Sequence, residues 1–138
     1  MRASITLRGD HAEFTRLQAF TDEFARACGL PDDERWRLLI ILEELFTNAV
    51  THGHGPDAVG GNVTVALGWR RDRLRISFVD DGPLFDPLAL REPDLDAAPE
   101  ERAIGGLGIH IVRSLVDRAR YRRRGGRNHL YLVRRIGC

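Results

Sequence analysis

The sequence predicts an α+β domain of two layers, in which helices pack on one face of a mixed, mostly antiparallel sheet. Two observations support this fold class. The hydrophobic pattern changes between the helical repeat and strict alternation, and the elements follow in the order β-α-α-β-β-α-β-β, with strands in neighbouring pairs. A chain of 138 residues, with 43% hydrophobic and 30% charged residues, can bury a core without disulfides.

The N-terminal part of the chain predicts one strand and a first helix. Residues 3–8 alternate as a short strand, and Asp10 followed by Glu13 resembles a capping box. Gly29 ends the first helix, and Pro31 begins the next segment.

A second helix is predicted from about Asp32 to His52, and the run Gly53-His-Gly-Pro56 ends it. Its apolar stripe consists of Leu38, Ile41, Leu42, Leu45 and Ala49. The rest of the chain predicts, in order, a strand around 63–69, a strand around 74–78, a long polar loop at 81–104, a helix containing Ile109, Val112, Leu115 and Val116, and a hairpin of about 118–124 and 128–135.

Composition excludes several classes of function. All 21 basic residues are arginine, which excludes a lysine Schiff base and the lysine of a P-loop. The net charge of +1 argues against bulk binding to nucleic acid. An apolar run long enough to cross a membrane is missing from the sequence, as is a secretion signal. With only two cysteines, the sequence predicts a cytoplasmic protein.

Three short motifs could carry chemistry. In Glu44-Leu-Phe-Thr-Asn48 the spacing of four puts a carboxylate and a carboxamide on one helix face, which Thr51 and His52 extend by a turn. Both groups suit Mg²⁺, and the carboxylate could also deprotonate a nucleophile. Taken alone, this pattern is more often a solvated helix surface.

The other two motifs follow a strand and precede a helix. Val79-Asp-Asp-Gly-Pro83 can direct a carboxylate into a pocket, although Asp-Gly turns are common. Gly105-Gly-Leu-Gly108 precedes a helix, where backbone N–H groups favour an anion, although a flexible hinge explains it equally well.

In this order and spacing, the three motifs resemble the N, G1 and G2 boxes of the GHKL ATPase/kinase superfamily. Within it, the sequence is most similar to the RsbW-like anti-sigma-factor serine kinases. The similar segments are Glu44-Leu-Phe-Thr-Asn-Ala-Val-Thr-His-Gly53, Asp80-Asp-Gly-Pro-Leu-Phe-Asp-Pro87, Gly105-Gly-Leu-Gly-Ile-His-Ile-Val112, Leu115-Val-Asp117, Tyr121 and Gly126-Arg-Asn128. The sequence departs from the stricter Asp-x-Gly-x-Gly pattern at Leu84.

The resemblance implies a GHKL ATPase fold, with residues 1–138 forming a single histidine kinase-like ATPase domain. It implies that Asn48 ligates Mg²⁺ and that Glu44 is the catalytic base. Asp80 would read adenine, with Gly82 allowing close approach of the base. The implied ATP lid spans about residues 84–105, and its end supplies backbone contacts to the phosphates through Gly105, Gly106, Leu107 and Gly108.

The activity implied by the resemblance is that of an ATP- and Mg²⁺-dependent serine/threonine-protein kinase of a bacterial partner-switching system. It would phosphorylate a STAS-domain antagonist and sequester a sigma factor or analogous regulator, with no direct contact to nucleic acid or membrane. Two alternatives stay open: a non-catalytic, nucleotide-gated binding module, and a detached histidine-kinase catalytic domain. A homodimer also stays open.

Two further features have more than one interpretation. His52 could cap its helix or contact the nucleotide pocket. Arg118, Arg120, Arg122 and Arg124 share one face of a predicted strand. This strand face is interpreted first as a solvated outer face of the sheet. Binding of an acidic partner surface is the second interpretation, and binding of nucleic acid is the third.

Overall fold

The computed structural model describes residues 1–54, 61–89 and 106–137. The strands are β1 (Arg2–Arg8), β2 (Asn62–Arg70), β3 (Arg73–Asp80), β4 (Arg118–Arg124) and β5 (Arg127–Arg135). The α-helices are α1 (Phe14–Cys28), α2 (Asp32–Asn48) and α3 (Gly106–Leu115). The predicted order of elements is confirmed, although Val116 lies just beyond the end of α3.

The five strands form one sheet in the order β1-β2-β3-β5-β4. The predicted two-layer α+β architecture is confirmed, but each described strand pair is antiparallel, so the sheet is not mixed there. Turns of two residues join β2 to β3 and β4 to β5, and such short connections permit only antiparallel neighbours. The Gly125-Gly126 turn has positive φ angles of 61° and 73°, which favour glycine.

The helices cover one face of the sheet, and the core lies between the two layers. Alternate residues of the central strands are buried because successive strand side chains point to opposite faces. The buried strand residues of the core are Leu7, Val63, Val65, Leu67, Leu74, Ile76, Phe78, Leu130 and Leu132. They pack against apolar stripes of the helices that include Leu17, Phe24, Leu38, Ile41, Leu42, Leu45, Phe46, Ile109 and Val112. Trp36 does not belong to this core, although it is a large apolar residue of α2, because it lies on the outer side of the helix and is 55% exposed.

The start of the first helical segment differs from a capping box. The Asp10 carboxylate accepts a hydrogen bond from the N–H of Ala12 and begins a 3₁₀ turn that precedes α1. The carboxylate of Glu13 accepts from the N–H of Arg8 instead of that of Asp10, because the 3₁₀ turn places it beside the end of β1. The end of α1 follows the prediction, with Gly29 in the left-handed conformation at φ 69°.

The α-helical part of α2 ends at Asn48, four residues earlier than predicted. A π-helical turn covers Ala49–His54. A π turn contains more residues than an α turn, so the α-helical spacing that aligns Asn48 with Glu44 does not continue beyond Asn48. The extension of this face through Thr51 and His52 stays a prediction.

The described residues contain no helix that is both long enough and apolar enough to span a membrane.

Candidate functional site

A small cavity lies between the helical layer and the sheet, beside the end of β3. Polar groups from three elements reach it: Asn48 from the end of α2, Asp80 from the end of β3 and Asn128 from β5. Its remaining lining residues are Leu45, Ala49, Phe78, Phe85, Pro87, Ile109, Tyr121 and Leu130. The fold thus brings the predicted Asn48 and Asp80, which are far apart in sequence, to one cavity.

Asn48 carries a buried polar atom of this cavity that has no hydrogen-bond partner. The residue is 7% exposed, and its Nδ2 atom is the one buried side-chain nitrogen or oxygen in the described residues without a hydrogen bond. Such an atom is costly unless a ligand or water satisfies it. The two ends of a carboxamide are assigned from their hydrogen bonds, and rotation of the amide would direct its oxygen to the same place. A carboxamide oxygen fits a Mg²⁺ ion.

Asp80 is held in place by neighbouring backbone and by β5. Its Oδ1 atom accepts hydrogen bonds from the N–H of Gly82 at 3.0 Å and from Nδ2 of Asn128 at 3.0 Å. The alternation of β3 directs Asp80 to the helix side, where it is 9% exposed. Because Oδ1 already accepts two hydrogen bonds, Oδ2 is the carboxylate oxygen that can accept a hydrogen bond from a ligand.

Asn128 connects Asp80 to the segment that follows it. Besides Asp80, its Nδ2 donates to the carbonyl oxygen of Pro83 at 2.9 Å. Its Oδ1 accepts from the N–H of Phe85 at 3.2 Å and from the hydroxyl of Tyr121 at 2.6 Å. The side chain is 4% exposed and uses both of its amide hydrogens. Asn128 therefore fixes the backbone of residues 83–85 relative to the sheet.

β4 supplies two more groups to this network. Arg123 donates from Nη1 to the carbonyl oxygen of Gly82 at 2.7 Å and to Oδ1 of Asn128 at 3.2 Å. Burial raises the pKa of the Tyr121 hydroxyl above its ordinary value, which keeps Tyr121 a donor. The sequence assigned no role to Asn128, Tyr121 or Arg123. Residues alternate in direction along β4, so Tyr121 and Arg123 point to the inner face of the sheet. This alternation was the sequence pattern from which their contribution could have been inferred.

Glu44 meets the start of α3. Its carboxylate lies against the Cα of Gly108, so closely that a Cβ there would overlap Oε2 and stand 3.3 Å from Cδ. The glycine is thus required for this approach, and it brings two of the predicted motifs together. Glu43, the preceding residue, accepts a hydrogen bond from Gln18 on α1 instead.

The remaining predicted residues are placed as follows. Gly82 is buried in the bend after β3, and Gly106 and Leu107 form the first turn of α3, with Leu107 41% exposed. Gly105 and most of the predicted lid lie outside the described residues, as does the side chain of His52.

The described part of the predicted lid, residues 84–89, closes over the cavity. Phe85 and Pro87 line it, and Arg113 of α3 donates to the carbonyl oxygen of Leu88 at 3.2 Å. The cavity is about 20 Å³, which holds a water molecule but not a purine. In this conformation the space between Asn48 and Asp80 is therefore too small for a nucleotide.

Fold and site together define a two-layer α+β domain whose polar cavity lies between the last turn of a long helix, a strand end and a glycine-rich helix start. The chain belongs to the family of histidine kinase-like ATPase domains, which matches residues 7–134. The resemblance to RsbW-like kinases within that family is also confirmed by relatives of known name.

The serine/threonine-protein kinase BtrW of Bordetella bronchiseptica is 30% identical over 101 residues, which are 72% of this chain and 69% of BtrW. The serine-protein kinase RsbW of Bacillus subtilis is 31% identical over 107 residues, which are 74% of this chain and 66% of RsbW. The chain thus spans about two thirds of the length of these curated relatives.

A solved structure shares the fold. The crystal structure of the RsbU and RsbW domains of Rv1364c from Mycobacterium tuberculosis matches 98% of this chain with a TM-score of 0.69. The sequence identity is 21%, and the match covers 32% of that chain.

Proposed function

We propose that this chain is an ATP- and Mg²⁺-dependent serine/threonine-protein kinase that phosphorylates a STAS-domain antagonist and sequesters a sigma factor or analogous regulator. The observation that carries the proposal is that Asn48 and Asp80 line one cavity, where the Nδ2 atom of Asn48 has no hydrogen-bond partner. The names of the relatives, both protein kinases acting on serine or on serine and threonine, support serine as acceptor over the histidine-kinase alternative.

In this proposal, the two ends of the cavity bind different parts of Mg·ATP. Oδ2 of Asp80 accepts a hydrogen bond from the exocyclic amine of adenine, while Asn128 and Gly82 hold the other carboxylate oxygen. Asn48 would hold Mg²⁺, which supplies charge neutralisation on the phosphates when bound. The backbone N–H groups of Gly106, Leu107 and Gly108 lie in the first turn of α3, where a helix favours an anion.

Glu44 takes the proton of the acceptor serine in this proposal. The serine oxygen forms a bond to the γ-phosphorus, the bond from that phosphorus to ADP breaks, and the proton passes to the Glu44 carboxylate. The position of Glu44 supports the assignment, because it lies one turn before Asn48 on α2 and against the start of α3. Positioning and charge neutralisation are the main means of catalysis in phosphoryl transfer.

Glu44→Gln is the variant that tests this function. It should bind Mg·ATP nearly as well as the wild type and transfer phosphate about 10²–10⁴-fold more slowly, because glutamine keeps the size of the side chain but not its basicity. Binding is measured by titration with a fluorescent ATP analogue, and transfer with labelled ATP and a purified STAS-domain protein from the same organism.

Glu43→Gln is the matched control, since the same change is made one residue away on a side chain bonded to Gln18. It should leave both measurements near wild-type values. Transfer by Glu44→Gln at the wild-type rate would remove Glu44 as the base. Absence of transfer by the wild type to its cognate partner would favour the non-catalytic binding module.

A further inference from the structure

The face of the sheet that points away from the helices, called here the open face, is rich in arginine. It consists of the residues that alternate outward on the five strands. Eleven of them are arginines: two from β1, one from β2, two from β3, four from β4 and two from β5. All are exposed, and they are Arg2, Arg8, Arg70, Arg73, Arg75, Arg118, Arg120, Arg122, Arg124, Arg127 and Arg135.

The open face has no acidic residue among its outward strand positions. Asp72, Asp81 and Asp117 lie near it, but in a turn or beyond a strand end. The ion pairs within the described residues all involve other arginines, and those lie on the helices or on the inner side of β5. Since the chain as a whole carries a charge of only +1, positive charge is concentrated on this face.

The centre of the open face is a shallow groove of about 630 Å³. The strand register places Ser4, Ala66 and Ser77 in one row across β1, β2 and β3. The row continues with Tyr131 of β5 and ends at Arg120 of β4. Gly68 widens the floor between Arg2 and Arg75 in the adjacent row. Small side chains thus form a floor that a backbone can approach, with guanidinium groups beside it.

We propose that the open face binds an acidic segment of a protein partner. The four arginines of β4 follow one another at every second residue, a repeat of about 6.8 Å. An extended polypeptide with carboxylates on alternate residues has the same repeat, so successive carboxylates can each contact a guanidinium group of β4. The groove lies beside this row, on the other four strands. A guanidinium group forms bidentate hydrogen bonds with a carboxylate, which favours an acidic peptide as the partner.

Two other occupants fit the open face less well. A second copy would bring eleven arginines against eleven others without a carboxylate between them. A nucleic acid strand would need aromatic rings free for stacking. Tyr131 and His129 are the aromatic side chains of the described open face, and they stack on each other, with ring centroids 6.1 Å apart.

The proposal concerns a surface separate from the nucleotide cavity, because Asp80 and Asn128 point to the inner side of the same strands. Its test uses three labelled probes of equal length: a peptide of about ten residues that alternates glutamate and threonine, a block peptide of the same composition, and a single-stranded oligothymidylate. Binding is measured by fluorescence anisotropy at low and at physiological salt.

The alternating peptide should bind more tightly than the block peptide, and binding should weaken as salt rises. Arg120→Glu should weaken it about tenfold or more, because an attraction becomes a repulsion within the row of arginines on β4. Arg122→Glu repeats the change at a second position. Arg26→Glu, the same charge reversal at an exposed position of α1, should change the affinity less than about twofold. Unchanged binding of Mg·ATP in these variants shows that they are folded.

Three results would overturn the proposal. One is failure of both peptides to bind at low salt, and another is equal binding of the alternating and block peptides. The third is tighter binding of oligothymidylate, which would make the open face a nucleic-acid surface. Analytical ultracentrifugation of the wild type and of Arg120→Glu tests whether a second copy of the chain occupies the open face. A wild-type dimer that Arg120→Glu dissociates would also refute the acidic partner.

Discussion

The carboxylate of Glu44 contacts Gly108 at the start of α3, and the contact depends on the absence of a side chain at position 108. Glycine at position 108 leaves room for the carboxylate, since the nearest neighbours of a Cβ at this position would all be atoms of Glu44. The overlapping atom, Oε2, is the far end of a flexible side chain, so the carboxylate can move away at little cost in stability. A substitution here should therefore affect the position of Glu44 more than the fold.

Gly108→Ala is expected to lower phosphate transfer about tenfold to 10²-fold, because displacement of a catalytic group by about 1 Å has effects of that size. The free energy of unfolding should stay near the wild-type value or rise by up to about 1 kcal/mol, since alanine favours a helix. Transfer assays and urea unfolding measure the two effects. Gly68→Ala is the matched control, because its Cβ would find only Arg2 at 4.0 Å. Wild-type transfer by Gly108→Ala would contradict the role given to Glu44.

Asn48→Ala addresses the metal at the other end of this helix face. The variant should bind ATP with a much smaller gain from Mg²⁺, because the side chain that would ligate the ion is gone and the structure offers no neighbouring carboxamide on α2. Titrations with and without Mg²⁺ measure this gain. An unchanged Mg²⁺ dependence would remove Asn48 from the proposed metal site.

Between elements, the hydrogen bonds of Asn128 join β5 to the end of β3 and to the segment after it. β4 contributes Tyr121 and Arg123 to the same cluster. The carbonyl oxygens of Gly82 and Pro83 are thereby held by the C-terminal hairpin. The hairpin of β4 and β5 thus fixes the positions of Asp80 and of the first residues of the proposed lid.

Asn128→Ala should destabilise the fold by about 1–3 kcal/mol, because Asp80, Pro83 and Phe85 each lose a hydrogen-bond partner in a buried place. It should also reduce the preference for ATP over GTP, since Asp80 would no longer be held in one orientation. Urea unfolding and paired nucleotide titrations measure these effects. His129→Ala, a change at the next residue on the open face, should preserve the preference. Equal loss of preference in both variants would mean that the effect is general and not due to Asn128.

Across the two layers, Glu34 at the start of α2 is paired with Arg134 of β5. Arg134 donates to both carboxylate oxygens, at 2.8 and 3.0 Å, and to the carbonyl oxygen of Leu115 at 2.6 Å. The Glu34 side chain is 10% exposed. The hydrogen bonds from Arg134 hold the pKa of Glu34 below its ordinary value of 4.5. One ion pair therefore joins the helical layer to the sheet at the ends of three elements.

Glu34→Gln should lower the free energy of unfolding by about 1–3 kcal/mol at neutral pH. The pKa of Glu34 is lower in the folded state than in the unfolded state, so the stabilisation is present above about pH 4.5 and is lost as pH falls through the folded pKa. The difference between variant and wild type should therefore shrink on acidification below pH 4.5. Urea unfolding over a series of pH values measures it, and Glu23→Gln, the same change at an exposed position of α1, is the control. A pH-independent difference would show that the pair acts by packing alone.

The order of elements, the apolar stripes and three motifs could be predicted from local patterns. Hydrophobic periodicity, glycine positions and residue spacing depend on neighbours along the chain, and these are visible in a sequence. The roles expected for Glu44, Asn48, Asp80 and Gly108 depended on the family resemblance. The structure places Asn48 and Asp80 at one cavity and Glu44 against Gly108.

The partners of Asp80 required the folded chain. Asn128 lies 48 residues from Asp80 in sequence, and an asparagine in an alternating strand gives no sign of which loop it will hold. The alternation of β4 predicts that Tyr121 and Arg123 point inward, but not which groups they contact. The arginines of β4 were visible as one row, but strand pairing was needed to place the others beside them. Contacts across a sheet depend on register, and register is set by the packing of all strands together, so a local pattern does not contain them.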